Sequence, residues 1–261
     1  MKNKNFEENN YIIEAKGITK IFGAVEALKN VDFELRDGEV LGLVGDNGAG
    51  KSTLIKILSG AVVADDGIIE IFGKKAKIKQ PSDAFNYGIE TIYQDLALFD
   101  NLNFVENIFA GREYVQKGFG KYFNFVDIKS MNHNAYDRVK NISINLPDLN
   151  QKVENLSGGQ RQAVAITRSI FWGQKIIIMD EPTAALGVQE SKKVLELIKE
   201  IINHVKGIIL IAHNIEHVIN VADRVVILRN GERVASLDFE DYTNKTDTLH
   251  HDIVKGITGI L

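Results

Sequence analysis

The sequence contains no cysteine, which excludes disulfides, thiolate metal sites and cysteine nucleophiles and is compatible with a reducing compartment. Neither sign of charge dominates. Lys and Arg number 31 against 35 Asp and Glu, and the net charge of −4 gives no electrostatic reason to expect a nucleic-acid backbone as partner. No apolar run approaches the roughly 18 residues that span a bilayer. The longest stretches, such as 176–179 and 208–212, are broken almost at once, so any membrane role is expected to be peripheral. The polar residues from Met1 to Asn10 lack the apolar stretch of about 7 to 15 residues of a signal peptide, so export is not expected. Internal repeats and low-complexity segments are missing too. What is present, 44% hydrophobic and 25% charged residues over 261 positions, is the balance of a soluble globular protein of one large domain or two small ones.

Short β-branched runs over 11–15, 31–35, 40–44 and 68–72, punctuated by Asp37-Gly38 and Asp66-Gly67, predict strands. Between the last two, Leu54, Ile55, Ile57 and Leu58 fall at helical spacing within 51–58, so the order is strand, glycine-rich turn, helix. From about Leu96 to Trp172 the strand signal fades and 104–110, 131–142 and 158–172 read as helices, a mostly helical insertion. Alternation then resumes with apolar runs at 176–179, 208–212 and 225–228, a helix over 189–202, and the segment 215–221. Near-continuous apolar strands of this kind suit a parallel sheet covered on both faces. The tail over 238–261 is weakly patterned and suggests no function.

Three motifs carry chemistry. Gly45-Asp46-Asn47-Gly48-Ala49-Gly50-Lys51-Ser52-Thr53 matches G-x-x-x-x-G-K-[ST] between a predicted strand and a predicted helix, the context this motif requires. The glycines let the backbone curl so that successive N–H groups point at phosphate oxygens, the helix N-terminus adds its dipole, and Lys51 supplies a point charge. Ser52 is expected to hold Mg²⁺ and Thr53 to contact an inner phosphate. Asp180 and Glu181 follow the apolar run 176–179, which places two carboxylates at the carboxyl end of a buried strand, where open α/β sheets bind ligands. There Asp180 is the expected Mg²⁺ partner and Glu181 the base that polarises an attacking water. Leu156-Ser157-Gly158-Gly159-Gln160 precedes the amphipathic run 161–172. Ser157 is suited to cap that helix, and the two glycines leave its first N–H groups uncovered as a second anion site.

Together these motifs make the chain resemble an ATP-binding cassette (ABC) ATPase over about residues 12–231. The resemblance implies an α/β fold, a phosphate-loop core with a mainly parallel sheet, an N-terminal antiparallel β part and a helical subdomain. It implies one domain over 1–261, with 1–95 and 173–261 forming the nucleotide-binding core and 96–172 the helical signature subdomain. ATP and Mg²⁺ are the implied cofactors. Two copies are expected to clamp nucleotide head to tail, Ser157, Gly158, Gly159 and Gln160 of one completing the site that Gly45, Asn47, Gly48, Ala49, Gly50, Lys51, Ser52 and Thr53 of the other begin. Phe22, in Lys20-Ile21-Phe22-Gly23, resembles the aromatic that stacks on adenine. Gln94, in Ile92-Tyr93-Gln94-Asp95, resembles the glutamine that reaches Mg²⁺ or the attacking water and links the two lobes. His213, after the run 208–212, resembles the switch histidine that contacts the γ-phosphate. Gly187 stands where the family usually has an aspartate that joins the two sites across the dimer, which implies looser communication between them.

Tyr93-Gln94-Asp95-Leu96-Ala97-Leu98, Asn107-Ile108-Phe109-Ala110-Gly111-Arg112-Glu113 and Ala184-Ala185-Leu186-Gly187-Val188 are similar to ATPases of bacterial monosaccharide importers, the ribose, xylose and fructose class, in which Gly187 is typical. One copy of each motif resembles the single-cassette members, which implies a homodimer. The implied work is that of an importer motor, peripheral at the cytoplasmic face of the cell membrane. Its implied partners are transmembrane permease subunits and, indirectly, an extracytoplasmic sugar-binding protein, with no nucleic acid. Residues 98–106, with Leu98, Phe99, Leu102, Phe104 and Val105, are the candidate permease-docking segment. The alternative is a soluble, non-transport ABC ATPase acting in DNA repair or on the ribosome. Such proteins typically carry tandem cassettes, long coiled-coil insertions or basic arms, which this sequence lacks. A small-molecule kinase would leave residues 156–160 unexplained.

Overall fold

Strands that are apolar on both faces must be covered on both sides, and this requirement sets the layering of the molecule. The structure is a computed structural model that describes residues 10–116, 124–141, 148–242 and 246–259. Its elements in chain order are β1 (Tyr11–Phe22), β2 (Val25–Arg36), β3 (Glu39–Val44), α1 (Lys51–Leu58), β4 (Asp66–Ile71), β5 (Lys74–Lys75), α2 (Pro81–Asn86), β6 (Ile89–Ile92), α3 (Phe104–Phe109), α4 (Ile128–Asn141), α5 (Gly158–Phe171), β7 (Ile176–Asp180), α6 (Val188–Ile201), β8 (Gly207–Ile211), α7 (Ile215–Val221), β9 (Arg224–Arg229), β10 (Glu232–Asp238) and α8 (Thr246–Thr258).

Six strands form one sheet in the order β10-β9-β3-β8-β7-β6, parallel except for β10 at its edge. The others form an antiparallel sheet in the order β2-β1-β4-β5. Alternate residues of the parallel strands enter different cores. Ile176, Ile178, Ile209 and Ile211 face the antiparallel sheet and α1, together with Phe33, Leu54 and Ile55. Ile177, Met179, Ile208 and Leu210 face α5 and α6 through Ala165, Ile166, Val194 and Ile198. A third cluster joins α3, α4 and α5 through Phe104, Phe109, Met131, Ala135, Val164 and Phe171. Helix α5 therefore serves two cores. Among the described residues no helix is long and apolar enough to cross a membrane.

The α/β class, the parallel sheet, the antiparallel N-terminal part and the helical middle all match expectation. The differences have local causes. The runs at 11–15 and 31–35 are ends of two twelve-residue strands, β1 and β2, whose pairing shifts register between Ala15 and Ile18. That irregularity breaks the alternation on which a strand reading rests. Strand β6 has only four residues and exists because Ile89 and Ile92 are buried against β7. The weakly patterned tail begins at the last residue of β10 and contains α8, which turns Leu249 and Ile253 onto Val44, Val225 and Ile227. Ile142, the expected end of the helix over 131–142, lies outside the described residues, as do residues 1–9 of the polar amino terminus and 243–245 and 260–261 of the tail.

Candidate active site

Residues 45–53 lead from β3, buried along its whole length, into α1. Two positions in this loop admit only glycine. A Cβ on Gly45 (φ +151°) would lie 2.2 Å from the Leu228 carbonyl oxygen, and one on Gly50 (φ +105°) 2.8 Å from that of Ala27. Gly231 anchors the loop by donating its N–H to the Ala49 carbonyl at 3.2 Å. Gly50 is the N-cap of α1 and contributes no side-chain cap, so the first N–H groups of the helix remain available to an anion. Asn47, Gly48 and Ser52 are exposed, and Thr53 is half-buried.

The Lys51 ammonium is buried and curls back over its own loop, donating to the carbonyls of Gly45 at 2.7 Å and Asp46 at 3.0 Å. Burial pushes its pKa down, opposed by the charges of Glu181, Asp46 and Asp180. Burial and the adjacent Glu181 carboxylate push Asp180 upward, opposed by Lys51, Lys56 and His213.

Asp180 ends β7 opposite Ile211, the last residue of β8. Glu181 donates its N–H to the Ile211 carbonyl at 3.0 Å and takes φ +53°, a left-handed conformation that costs a side-chain-bearing residue about 1 kcal/mol. Its Oε1 lies 2.9 Å from Nε2 of His213, two residues beyond β8. Lys51, Asp180, Glu181 and His213 thus converge at the carboxyl ends of β3, β7 and β8, neighbours in the parallel sheet.

The sequence candidates outside the 45–53 loop share no hydrogen bond with these four among the described residues. Ser157 caps α5, its Oγ accepting from the Gln160 N–H at 3.4 Å while Gln160 Oε1 accepts from the Ser157 N–H at 2.9 Å. This reciprocal box covers a helix N–H that the sequence reading left open. Gly158 presses on the chain's own residues, since a Cβ there would lie 2.5 Å from Leu186 Cδ2, and Gly159 sits beside Glu190. Among the described residues no hydrogen bond or ion pair joins residues 157–160, Phe22 or Gln94 to Lys51, Asp180, Glu181 or His213. Phe22 is 46% exposed at the end of β1, with Lys20 Nζ 5.4 Å from its ring centre.

Gln94 is exposed just past β6. Its neighbour Tyr93 bonds Ser59 at 2.9 Å, and the carbonyls of Leu96 and Ala97 accept from Arg168 of α5 at 3.1 and 2.8 Å. A groove of about 380 Å³, lined by Ser59, Phe85, Glu90, Thr91, Tyr93 and Arg112, opens there. The docking segment expected over 98–106 is corrected in part, because Phe104 and Val105 are 0% and 2% exposed within the helical core, whereas Phe99 stays 54% exposed. Apolar residues that start a helix are drawn inward when that helix has a core to cover. Arg168, Thr183 and His217 went unnoticed in the sequence. The only signal for His217 is its place one helical turn after His213.

A glycine loop between a strand and a helix, facing two acids at the end of a neighbouring parallel strand, defines a phosphate-loop nucleoside triphosphatase. The chain belongs to the ABC transporter family, whose sequence profile matches residues 28–184, and it is an ATPase of that family. It is 47% identical to the fructose import ATP-binding protein FrcA of Rhizobium meliloti, over 89% of this chain and 90% of that protein. It is 48% identical to the xylose/arabinose import ATP-binding protein XylG of Sulfolobus acidocaldarius, over 85% of this chain and 86% of that one. Against the ribose import ATP-binding protein RbsA of Caldanaerobacter subterraneus subsp. tengcongensis the identity is 39%, and the match spans 95% of this chain but only 48% of the relative. Among solved structures, a nucleotide-free ATP-binding cassette from an ABC transporter matches with a TM-score of 0.77 and 26% identity, covering 91% of this chain and 95% of that one. A dimeric post-hydrolysis cassette bound to ADP and Pi matches with a TM-score of 0.67 and 25% identity, covering 87% of this chain and 98% of that one.

Proposed function

We propose that this protein is the ATP-hydrolysing subunit of a monosaccharide importer, working as a homodimer on the cytoplasmic face of a membrane against permease subunits fed by an extracytoplasmic sugar-binding protein. The observation that carries this is the 47–48% identity, over nearly the full length of both partners, to proteins named for fructose and xylose/arabinose import. The DNA-repair or ribosomal reading has no such support.

Within the site, Lys51 and the open N–H groups of α1 neutralise the phosphates, and Glu181 takes the proton of the attacking water with His213 beside it. Ser52, Asp180 and Gln94 supply hydroxyl, carboxylate and amide oxygens, the hard donors that suit Mg²⁺. Among the described residues no cluster of three His, Cys, Asp or Glu side chains could hold a metal by itself, which fits an ion that shares its coordination with nucleotide phosphates and water. When bound, that ion would neutralise charge on the outer phosphates. Phe22, exposed at the end of β1, stacks on adenine. Ser157, Gly158, Gly159 and Gln160 act on the nucleotide of the second copy. Residues 96–172 form the helical lobe and the remainder the core, α5 belonging to both. The permease contact is best placed at the groove beside Gln94, with Phe99 at hand.

Capture of the protein from gently solubilised membranes of its source, followed by mass spectrometry, tests this reading. Recovery of a polytopic permease and a sugar-binding receptor is expected. Recovery of ribosomes or repair factors in their place would overturn it.

A further inference from the structure

Glu181 holds a left-handed backbone conformation, φ +53°, and such a residue stays in place only when its surroundings over-determine it. The surroundings come from one short segment. His213 meets the Glu181 carboxylate at 2.9 Å. Four residues later, His217 Nδ1 lies 3.0 Å from the hydroxyl of Thr183, which is 8% exposed and two residues beyond Glu181. The spacing between the two histidines is rigid. Asn214 caps α7, its side chain accepting from the Glu216 N–H at 2.9 Å, so His217 in the first turn is fixed relative to His213. The far end of the turn is also tied, Ala184 donating to the Glu181 carbonyl at 3.1 Å and Leu186 to that of Thr183 at 3.3 Å.

We propose that His217 is a positioning residue for ATP hydrolysis: its bond to Thr183 holds the turn after β7 so that the Glu181 carboxylate stays beside His213 and aimed at the attacking water. His217 touches neither nucleotide nor water, and it acts through Thr183. The inference rests on Glu181 being the base. A displacement of the base affects the chemical step, whereas ground-state binding of ATP relies on Lys51 and the loop, which the bond does not touch.

The test measures kcat and KM for ATP of the full chain together with its thermal midpoint. His217→Ala is expected to lower kcat roughly tenfold with KM for ATP within about twofold. His217→Asn, whose amide reaches the place of Nδ1, should recover most of that loss. Thr183→Val should resemble His217→Ala, and the double variant should be no slower than either. In a Glu181→Gln background, His217→Ala should leave the residual rate unchanged, because the group it positions is already gone. Wild-type kcat in His217→Ala, or an equal loss with and without Glu181, overturns the proposal. Should His217→Ala fail to fold, the contrast between a slow Thr183→Val and an active His217→Asn decides, and its absence overturns the proposal. The base assignment is read separately: if Glu181→Gln alone turns over normally, that assignment falls, whatever His217 does.

Discussion

At the scale of single residues, the roles proposed for the site separate charge that holds ATP from charge that reacts with it. Lys51 is buried with its ammonium satisfied by two carbonyls of its own loop, so nucleotide must win that ammonium from the Gly45 and Asp46 oxygens. In its proposed role it neutralises phosphate in the ground state, so Lys51→Ala is expected to weaken ATP binding itself, as calorimetry would show. Glu181, the proposed base, differs, since a proton acceptor matters only when the water reacts. Glu181→Gln should bind ATP normally and hydrolyse it about 10² to 10⁴ times more slowly in a single-turnover assay. Near-normal turnover would remove Glu181 from that role.

At the scale of elements, the positions of α5 and α7 matter most. Helix α5 sets Val164 and Phe171 in the helical core while Ala165 and Ile166 pack on the sheet, and its Arg168 binds the backbone just after Gln94. One rigid helix thus joins residues 157–160 at its start to the Gln94 segment near its end. Helix α7 crosses β3 so closely that a Cβ on Gly42 would lie 2.3 Å from Val218 Cγ1, with Val225 Cγ2 at 3.4 Å. Gly42→Ala must therefore lift α7, and overpacking of this kind costs about 1–3 kcal/mol. Urea unfolding should show a lower midpoint at an unchanged slope. A midpoint equal to wild type would mean that Val218 repacks freely.

At the scale of the whole molecule, one buried arginine, paired with Glu39 within its own sheet, also ties the two sheets together. Arg224 of β9 donates to both Glu39 carboxylate oxygens at 2.7 and 3.0 Å, to the Glu34 carbonyl of β2 at 2.9 Å and to Ser236 of β10 at 3.0 Å. The loop at 45–53, seated between Ala27 and Leu228, inherits that fixed spacing. Residues 157–160, by contrast, lie against Leu186 and Glu190 of their own chain, and in the proposed homodimer they reach a nucleotide only across two copies. Ser157→Arg should then leave ATP binding by each chain intact and abolish hydrolysis. Normal hydrolysis by the purified variant would show that one chain suffices.

The sequence alone determined what contiguous residues determine. The loop at 45–53 reads as a phosphate site because successive backbone N–H groups of neighbouring residues make it, and 176–179, 208–212 and 225–228 read as strands because burial on both faces leaves unbroken apolar runs. The family followed from the same short motifs. Tertiary structure decided whatever depends on a partner far along the chain. Strand β6 exists through its pairing with β7, and α8 through the apolar surface it covers. The inward turn of Phe104 and Val105 needed the helices around them. The Thr183–His217 bond joins residues 34 positions apart. No local pattern encodes such contacts, because each depends on where the fold carries the second group.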